Sequence, residues 1–266
     1  MHPFATLAIP AGSVGIHWFE QSAYALKDSQ GTIVQVDPYY PVERPAERYI
    51  HAQPPLIESE LPTDYVLMTH AHSDHTNSET IARIHQAWPD AKYVGPKESI
   101  EQILRETDVD RDYTITSEAG ESVAVGSIGV HAFDSKPLAG DPETGIQPPD
   151  VTHLGYVIEM GGIKLYFTGD PINTFADHHE LIAPIAALEP DIGFLTTHPT
   201  EGEFPFFAGS VLLAQKLGLK TAVPSHYACF VKRTYDPQIW ASLFPVGGPK
   251  PLIIPRNSHI IYPAKK

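Results

Sequence analysis

Three histidines and an aspartate fall within the stretch Thr69-His70-Ala71-His72-Ser73-Asp74-His75, directly after the apolar run Tyr65-Val66-Leu67-Met68. A short apolar run bounded by polar residues reads as a buried strand, and strands of this kind end where α/β chains gather their chemistry. Thr76-Asn77-Ser78 then offers helix caps before an amphipathic stretch over 79–87, so the cluster occupies a tight strand-to-helix loop. In an extended segment residues two apart face the same side, which lets His70 and His72 address one ion. Asp74 and His75, beyond the bend, address a second. Imidazole and carboxylate donors suit zinc, manganese and iron. The competing reading is a His-rich surface turn in a chain with 14 histidines. It requires the strand, the capped helix and the His-x-His alternation to coincide by accident.

The rest of the chain supplies a frame for such a loop. Short strands are expected over 13–19, 23–26 and 32–36, then 65–68 after a proline-punctuated excursion. Helices over 79–87 and 97–106 alternate with a strand over 92–94, and 122–133 reads as two strands parted at Gly126. In the second half, strands over 154–160 and 164–168 flank Gly161-Gly162, a favoured hairpin turn. Helices over 180–188, 209–217 and 238–244 then interleave with strands over 192–195 and 221–223. Hairpins mixed with strand–helix alternation, twice over, imply an α+β (α/β) chain of two sheets with helices outside. No Gly/Ser linker, charge block or low-complexity segment marks a boundary, so 1–266 reads as a single domain.

Composition narrows the partners. A formal charge of −14 opposes binding to nucleic acid, which needs clustered Lys and Arg. No segment approaches the roughly 20 apolar residues that span a bilayer, and Met1-His2-Pro3-Phe4-Ala5 lacks the basic start of a secretory signal. The single cysteine, Cys229, excludes an internal disulfide and fits a reducing, cytoplasmic setting. A small-molecule substrate is therefore expected, without nucleic acid or membrane; the sequence leaves open whether the chain forms a homo-oligomer.

His70, His72, Asp74 and His75 match the His-x-His-x-Asp-His signature of the metallo-β-lactamase superfamily, and the chain resembles that family. Within it, the chain looks like the L-ascorbate-6-phosphate lactonase branch. The likeness runs through Trp18-Phe19-Glu20-Gln21-Ser22, Val36-Asp37-Pro38, Val94-Gly95-Pro96-Lys97, Val130-His131-Ala132-Phe133-Asp134, Tyr166-Phe167-Thr168-Gly169-Asp170, and Val223-Pro224-Ser225-His226-Tyr227 with Tyr235-Asp236-Pro237-Gln238 beyond. The resemblance implies a four-layer αββα sandwich holding one or two divalent transition-metal ions, zinc or manganese first and iron as an alternative. It implies Asp170 as a carboxylate bridging two ions and His226 as the last histidine ligand. It leaves one position open: Asp134 is the first choice, His153 the substitute, and His131 stands a strand face away. Asp37 resembles a residue that accepts a hydrogen bond from a ligating imidazole and fixes its tautomer.

The activity implied is attack of a metal-bound hydroxide on a lactone or other ester of a small, anionic metabolite, with Asp74 orienting the hydroxide and shuttling its proton. His198, at the end of an apolar strand, is a candidate pocket residue. Lys136 and the Lys232-Arg233 pair are the cations on offer to an anionic group. The long loop over 135–151 and the phenylalanine-rich segment over 201–208 are candidate pocket walls. A phosphodiesterase of the same fold is the alternative enzyme, because paired ions clamp a phosphoryl group equally well. A metal-binding protein with degenerate ligands is the non-enzymatic alternative, and a redox di-iron centre is opposed by His72, where glutamate would be expected.

Overall fold

Strand-forming runs with polar breaks, followed by helices with one apolar face, generate the same local plan twice. The computed structural model describes residues 1–143 and 145–263, and the chain divides into two compact units. The first comprises Met1–Ser117, Tyr227–Thr234 and 254–263 of the described residues; the second comprises Glu118–His226 and Tyr235–Ile253.

The first unit opens with the short helix α1 (Pro3–Thr6) and contains β1 (Val14–Glu20), β2 (Ala23–Lys27), β3 (Ile33–Val36), β4 (Tyr65–Leu67), α2 (Ser78–Ala87), β5 (Lys92–Gly95), α3 (Lys97–Glu106) and β6 (Thr114–Thr116). Its seven-stranded sheet has the order β14-β1-β2-β3-β4-β5-β6, with β14 (Ser258–Tyr262) returning from the C-terminal end of the chain. The β14, β1, β2 and β3 pairings are antiparallel, whereas β3 to β6 run parallel. Asn77 caps α2, its side chain accepting from the Thr80 N–H at 2.9 Å. Ile81, Ile84, Ile100 and Ile103 recur at helical spacing and bury against Val66, Met68 and Tyr93.

The second unit holds β7 (Ser122–Val125), β8 (Ile128–Asp134), β9 (Leu154–Met160), β10 (Ile163–Phe167), α4 (His179–Ala186), β11 (Ile192–Thr196), α5 (Phe207–Lys216), β12 (Thr221–Ser225), α6 (Pro237–Ala241) and β13 (Lys250–Pro251). Its seven strands follow the order β13-β12-β11-β10-β9-β8-β7. Gly161 and Gly162 turn β9 into β10 with φ of 59° and 79°, the left-handed pair a two-residue hairpin demands. Ile182, Ile185, Val211, Leu213 and Trp240 from the helices close over Val157, Tyr166, Leu195 and Ala222. Trp240 is fully buried and its indole N–H reaches Ser210 Oγ at 2.8 Å, so truncation to alanine would cost about 3–5 kcal/mol.

Within each sheet, taken by itself, the strand directions bring that unit's candidate residues to one edge of the sheet. Parallel β3 and β4 end at Asp37 and at the histidine cluster, and antiparallel β2 begins there, which places the β1–β2 turn at Gln21 alongside. Parallel β10, β11 and β12 run out towards Asp170, His198 and His226. Antiparallel β9 starts, and β8 ends, at that same edge, with Asp134 opposite Leu154 and His153 just before it. Among the described residues no helix is long and apolar enough to cross a membrane.

Candidate functional site

In the first unit the histidine loop is held by a chain of hydrogen bonds that begins at Asp37. Asp37 has φ of 45°, in the left-handed region that ordinary residues avoid, and its side chain is 1% exposed. Its Oδ1 accepts from the Thr69 N–H at 2.8 Å, and its Oδ2 accepts from the Thr69 hydroxyl at 2.7 Å and lies 2.8 Å from His75 Nδ1. A carboxylate only accepts, so His75 Nδ1 carries a proton, and in the neutral imidazole Nε2 keeps the lone pair. The Thr69 hydroxyl has one proton, which goes to Asp37. Towards His70 Nδ1, 3.0 Å away, that oxygen must therefore accept, and His70 too keeps its lone pair at Nε2. One carboxylate thus sets two tautomers, directly at His75 and through Thr69 at His70.

The loop is tight enough to make this useful. The N–H groups of His75 and Thr76 both reach His72 O, at 2.9 and 2.8 Å, and Thr76 Oγ1 donates to His70 O at 2.7 Å. His70 offers a ligand atom within 4.8 Å of one on His72 and within 4.8 Å of one on His75, and Asp74 and His75 stand in the same relation. His70 and His75 are fully buried, while His72 and Asp74 are half-buried. Gln21 donates its side-chain amide to Asp74 Oδ2 at 2.8 Å. Oriented imidazole nitrogens and carboxylates in this donor set suit a divalent transition ion, and an outer carboxylate behind a ligating imidazole is the usual support for one.

In the second unit Asp170 and His226 come together at the strand edge, with His226 Nε2 3.4 Å from Asp170 Oδ2 and both side chains buried. Gly169, at φ 59°, turns the chain after β10 so that Asp170 leaves the strand direction. His226 has φ of 69°, a conformation that costs a non-glycine residue on the order of 1–3 kcal/mol and clusters at functional sites. His153 is 2% exposed, whereas Asp134 is half-buried and burial pushes its carboxyl above the usual range. His131 alternates to the opposite strand face, between buried Val130 and Ala132, and pairs with Ser122 Oγ at 2.7 Å.

The pocket candidates separate. His198 is buried, and its Nδ1 accepts from the N–H groups of Thr200 and Glu201 at 3.2 and 2.8 Å, so it organises the loop that follows β11. Lys136 lies 3.9 Å from Glu203 and helps line a cavity of about 290 Å³ with Ile146, Pro148 and Ile172. Thr144, inside the expected 135–151 loop, lies outside the described residues. Arg233 belongs to the first unit, half-buried at the end of the short turn Val231–Arg233, and Lys232 beside it is exposed. Thr69 and Gln21 were given no role by the sequence. Thr69 could have been found from its place between strand and cluster, but Gln21 lies 53 positions from Asp74 and carries no local signal.

Residues 32–227 match the family model described as a beta-lactamase superfamily domain. An Archaeoglobus fulgidus protein called a UPF0173 metal-dependent hydrolase is 26% identical over 240 residues, covering 84% of this chain and 87% of the relative. A Salmonella paratyphi B protein named as a probable L-ascorbate-6-phosphate lactonase is 26% identical over 190 residues, covering 66% of this chain but only 52% of the lactonase. The chain thus spans about half the length of that relative. Among solved structures, a metallo hydrolase from Ignicoccus hospitalis superposes with a TM-score of 0.69 at 18% identity, over 95% of this chain and 100% of that one, a likeness that speaks for the fold.

Proposed function

The chain belongs to the β-lactamase superfamily and is, at that level, a metal-dependent hydrolase; from this premise we propose that it hydrolyses a lactone or similar ester of a small, anionic metabolite. The observation that carries the reading is the double orientation of His70 and His75 by Asp37, which puts the proton of each neutral ring on Nδ1 and makes Nε2 the nitrogen suited to ligation. We assign one or two divalent ions, zinc or manganese, to this centre, with His70, His72, Asp74 and His75 as the ligands the histidine loop offers, and Asp170 and His226 as those the family resemblance adds. His153 is preferred to Asp134 for the remaining place, because it is a buried imidazole whereas Asp134 is only half-buried.

When bound, such an ion would lower the pKa of a coordinated water towards neutral and polarise a substrate oxygen. Asp74, a ligand and hydrogen-bond acceptor, would orient the attacking water. Lys136 and Arg233 are the cations offered to an anionic substituent, and His198 holds the loop beyond β11 in place. The ring-ester substrate is supported by the relative named as an ascorbate-phosphate lactonase; the wider hydrolase reading does not depend on it.

The test is a substrate panel on the zinc- and manganese-loaded protein: phosphorylated and plain lactones, a thioester and a phosphodiester. Turnover of lactones, improved by an anionic substituent, is expected. Turnover of the phosphodiester alone would replace this reading with its nearest alternative.

A further inference from the structure

The β1–β2 turn contains another non-glycine residue in the left-handed region, Gln21, at φ 55°. It is held there from three sides. Its N–H donates to Tyr227 O at 3.0 Å, its carbonyl accepts from the Trp18 indole N–H at 3.0 Å, and the preceding residue, Glu20, is fully buried in ion pairs with Arg44 and with Arg256. Trp18 in turn stacks on Tyr227, with ring centroids 4.6 Å apart. Strain of about 1–3 kcal/mol persists only where the surroundings over-determine it. The conformation aims the side chain, itself buried, at Asp74 Oδ2 with a 2.8 Å hydrogen bond.

We propose that Gln21 is a positioning residue for Asp74: its amide N–H fixes Oδ2, so that the carboxylate presents Oδ1 to a bound ion. The inference rests on the metal-site reading of Asp74 given above. A carboxylate is symmetric about its C–C bond, and without a partner on one oxygen it rotates among one- and two-oxygen binding modes. An amide is well suited to remove that freedom. It is neutral, so it leaves the charge of the carboxylate for the ion, and its N–H donates to one oxygen only. The left-handed turn belongs to this placement: from the hairpin end it carries the Gln21 amide to Asp74, 53 positions away in sequence.

The experiment compares Gln21→Met, Gln21→Asn and Gln21→His with the parent protein. Methionine keeps the length and removes the donor. Asparagine tolerates the left-handed backbone but falls one methylene short. Histidine restores an N–H at similar reach. Zinc affinity is measured by chelator competition on the metal-free proteins without substrate, with circular dichroism as the control for folding. The expectation is zinc binding weakened about 10–100-fold in the Met and Asn variants and restored to within a few-fold in the His variant. With the best substrate of the panel, the Met and Asn variants should lose kcat with KM little changed. Parent-like zinc affinity in folded Met or Asn variants overturns the role of Gln21 and leaves the hydrolase reading standing. A parent protein that binds no zinc or manganese overturns both. If the Met variant does not fold, the Asn variant decides by the same affinity criterion.

Discussion

His75 Nδ1 lies 2.8 Å from Asp37 Oδ2, and both side chains are buried at the edge of the first sheet. Because Asp37 also receives the backbone N–H and the hydroxyl of Thr69, its loss would free two imidazoles at once. Asp37→Asn keeps the shape but can present an N–H where Oδ2 accepted. It should stay folded and lose about 10–100-fold in metal affinity or turnover. Zinc competition and steady-state kinetics read this directly, and unchanged values would show that neither tautomer depends on Asp37.

His226 tests ligand chemistry apart from folding, but the choice of replacement matters. At φ 69°, alanine would add backbone strain to the loss of the imidazole, whereas asparagine accepts the left-handed region. His226→Asn should therefore retain secondary structure, lose part of its metal and fall by several orders of magnitude in turnover, since a misplaced nucleophile forfeits orientation as well as activation. Full metal content with near-parental turnover would move the ligand role elsewhere, with His198 first to be examined.

The choice between His153 and Asp134 is decided by a matched pair of variants. His153→Ala should lower metal occupancy markedly and Asp134→Ala should not, with metal content per chain as the measurement. The reverse pattern assigns the place to Asp134.

Much of the frame was legible because period and punctuation agreed. The bounds of β9 and α3 coincide with the expected 154–160 and 97–106, where apolar spacing is regular and the ends are marked by glycine or proline. The edge strands β6, β13 and β14 were not anticipated. They are short or partly exposed, and Ser258–Tyr262 finds its partner β1 at the other end of the sequence, which no local pattern announces. The histidine cluster was read from its own spacing, and Asp170 and His226 from resemblance. Gln21 and Thr69 were missed because hydrogen bonds across sheet strands, rather than sequence proximity, give them their places.

Acid sensitivity has a separate source, far along β1 from the histidine loop. His17 is 1% exposed, its Nε2 lies 2.9 Å from Asn257 Oδ1, and burial lowers its pKa from 6.5 to about 3. Between those values the unfolded chain binds the proton and the folded chain does not, so stability falls as pH drops from 6.5 towards 3. The loss is on the order of a few kcal/mol over the whole window. Melting curves between pH 7 and about 4 should show it, and His17→Gln, which keeps a donor for Asn257 without titrating, should flatten the dependence. An equally steep fall in that variant would place the acid-sensitive group elsewhere.

The central claim, hydrolysis that runs through metal held by these histidines and aspartates, is tested most directly by removing the metal and returning it. The protein is stripped with a chelator, its metal content measured, and lactone turnover followed as zinc or manganese is added back. The account predicts activity that vanishes on stripping, returns in proportion to metal bound, and saturates at one or two ions per chain. Undiminished turnover by protein shown to be metal-free would contradict it.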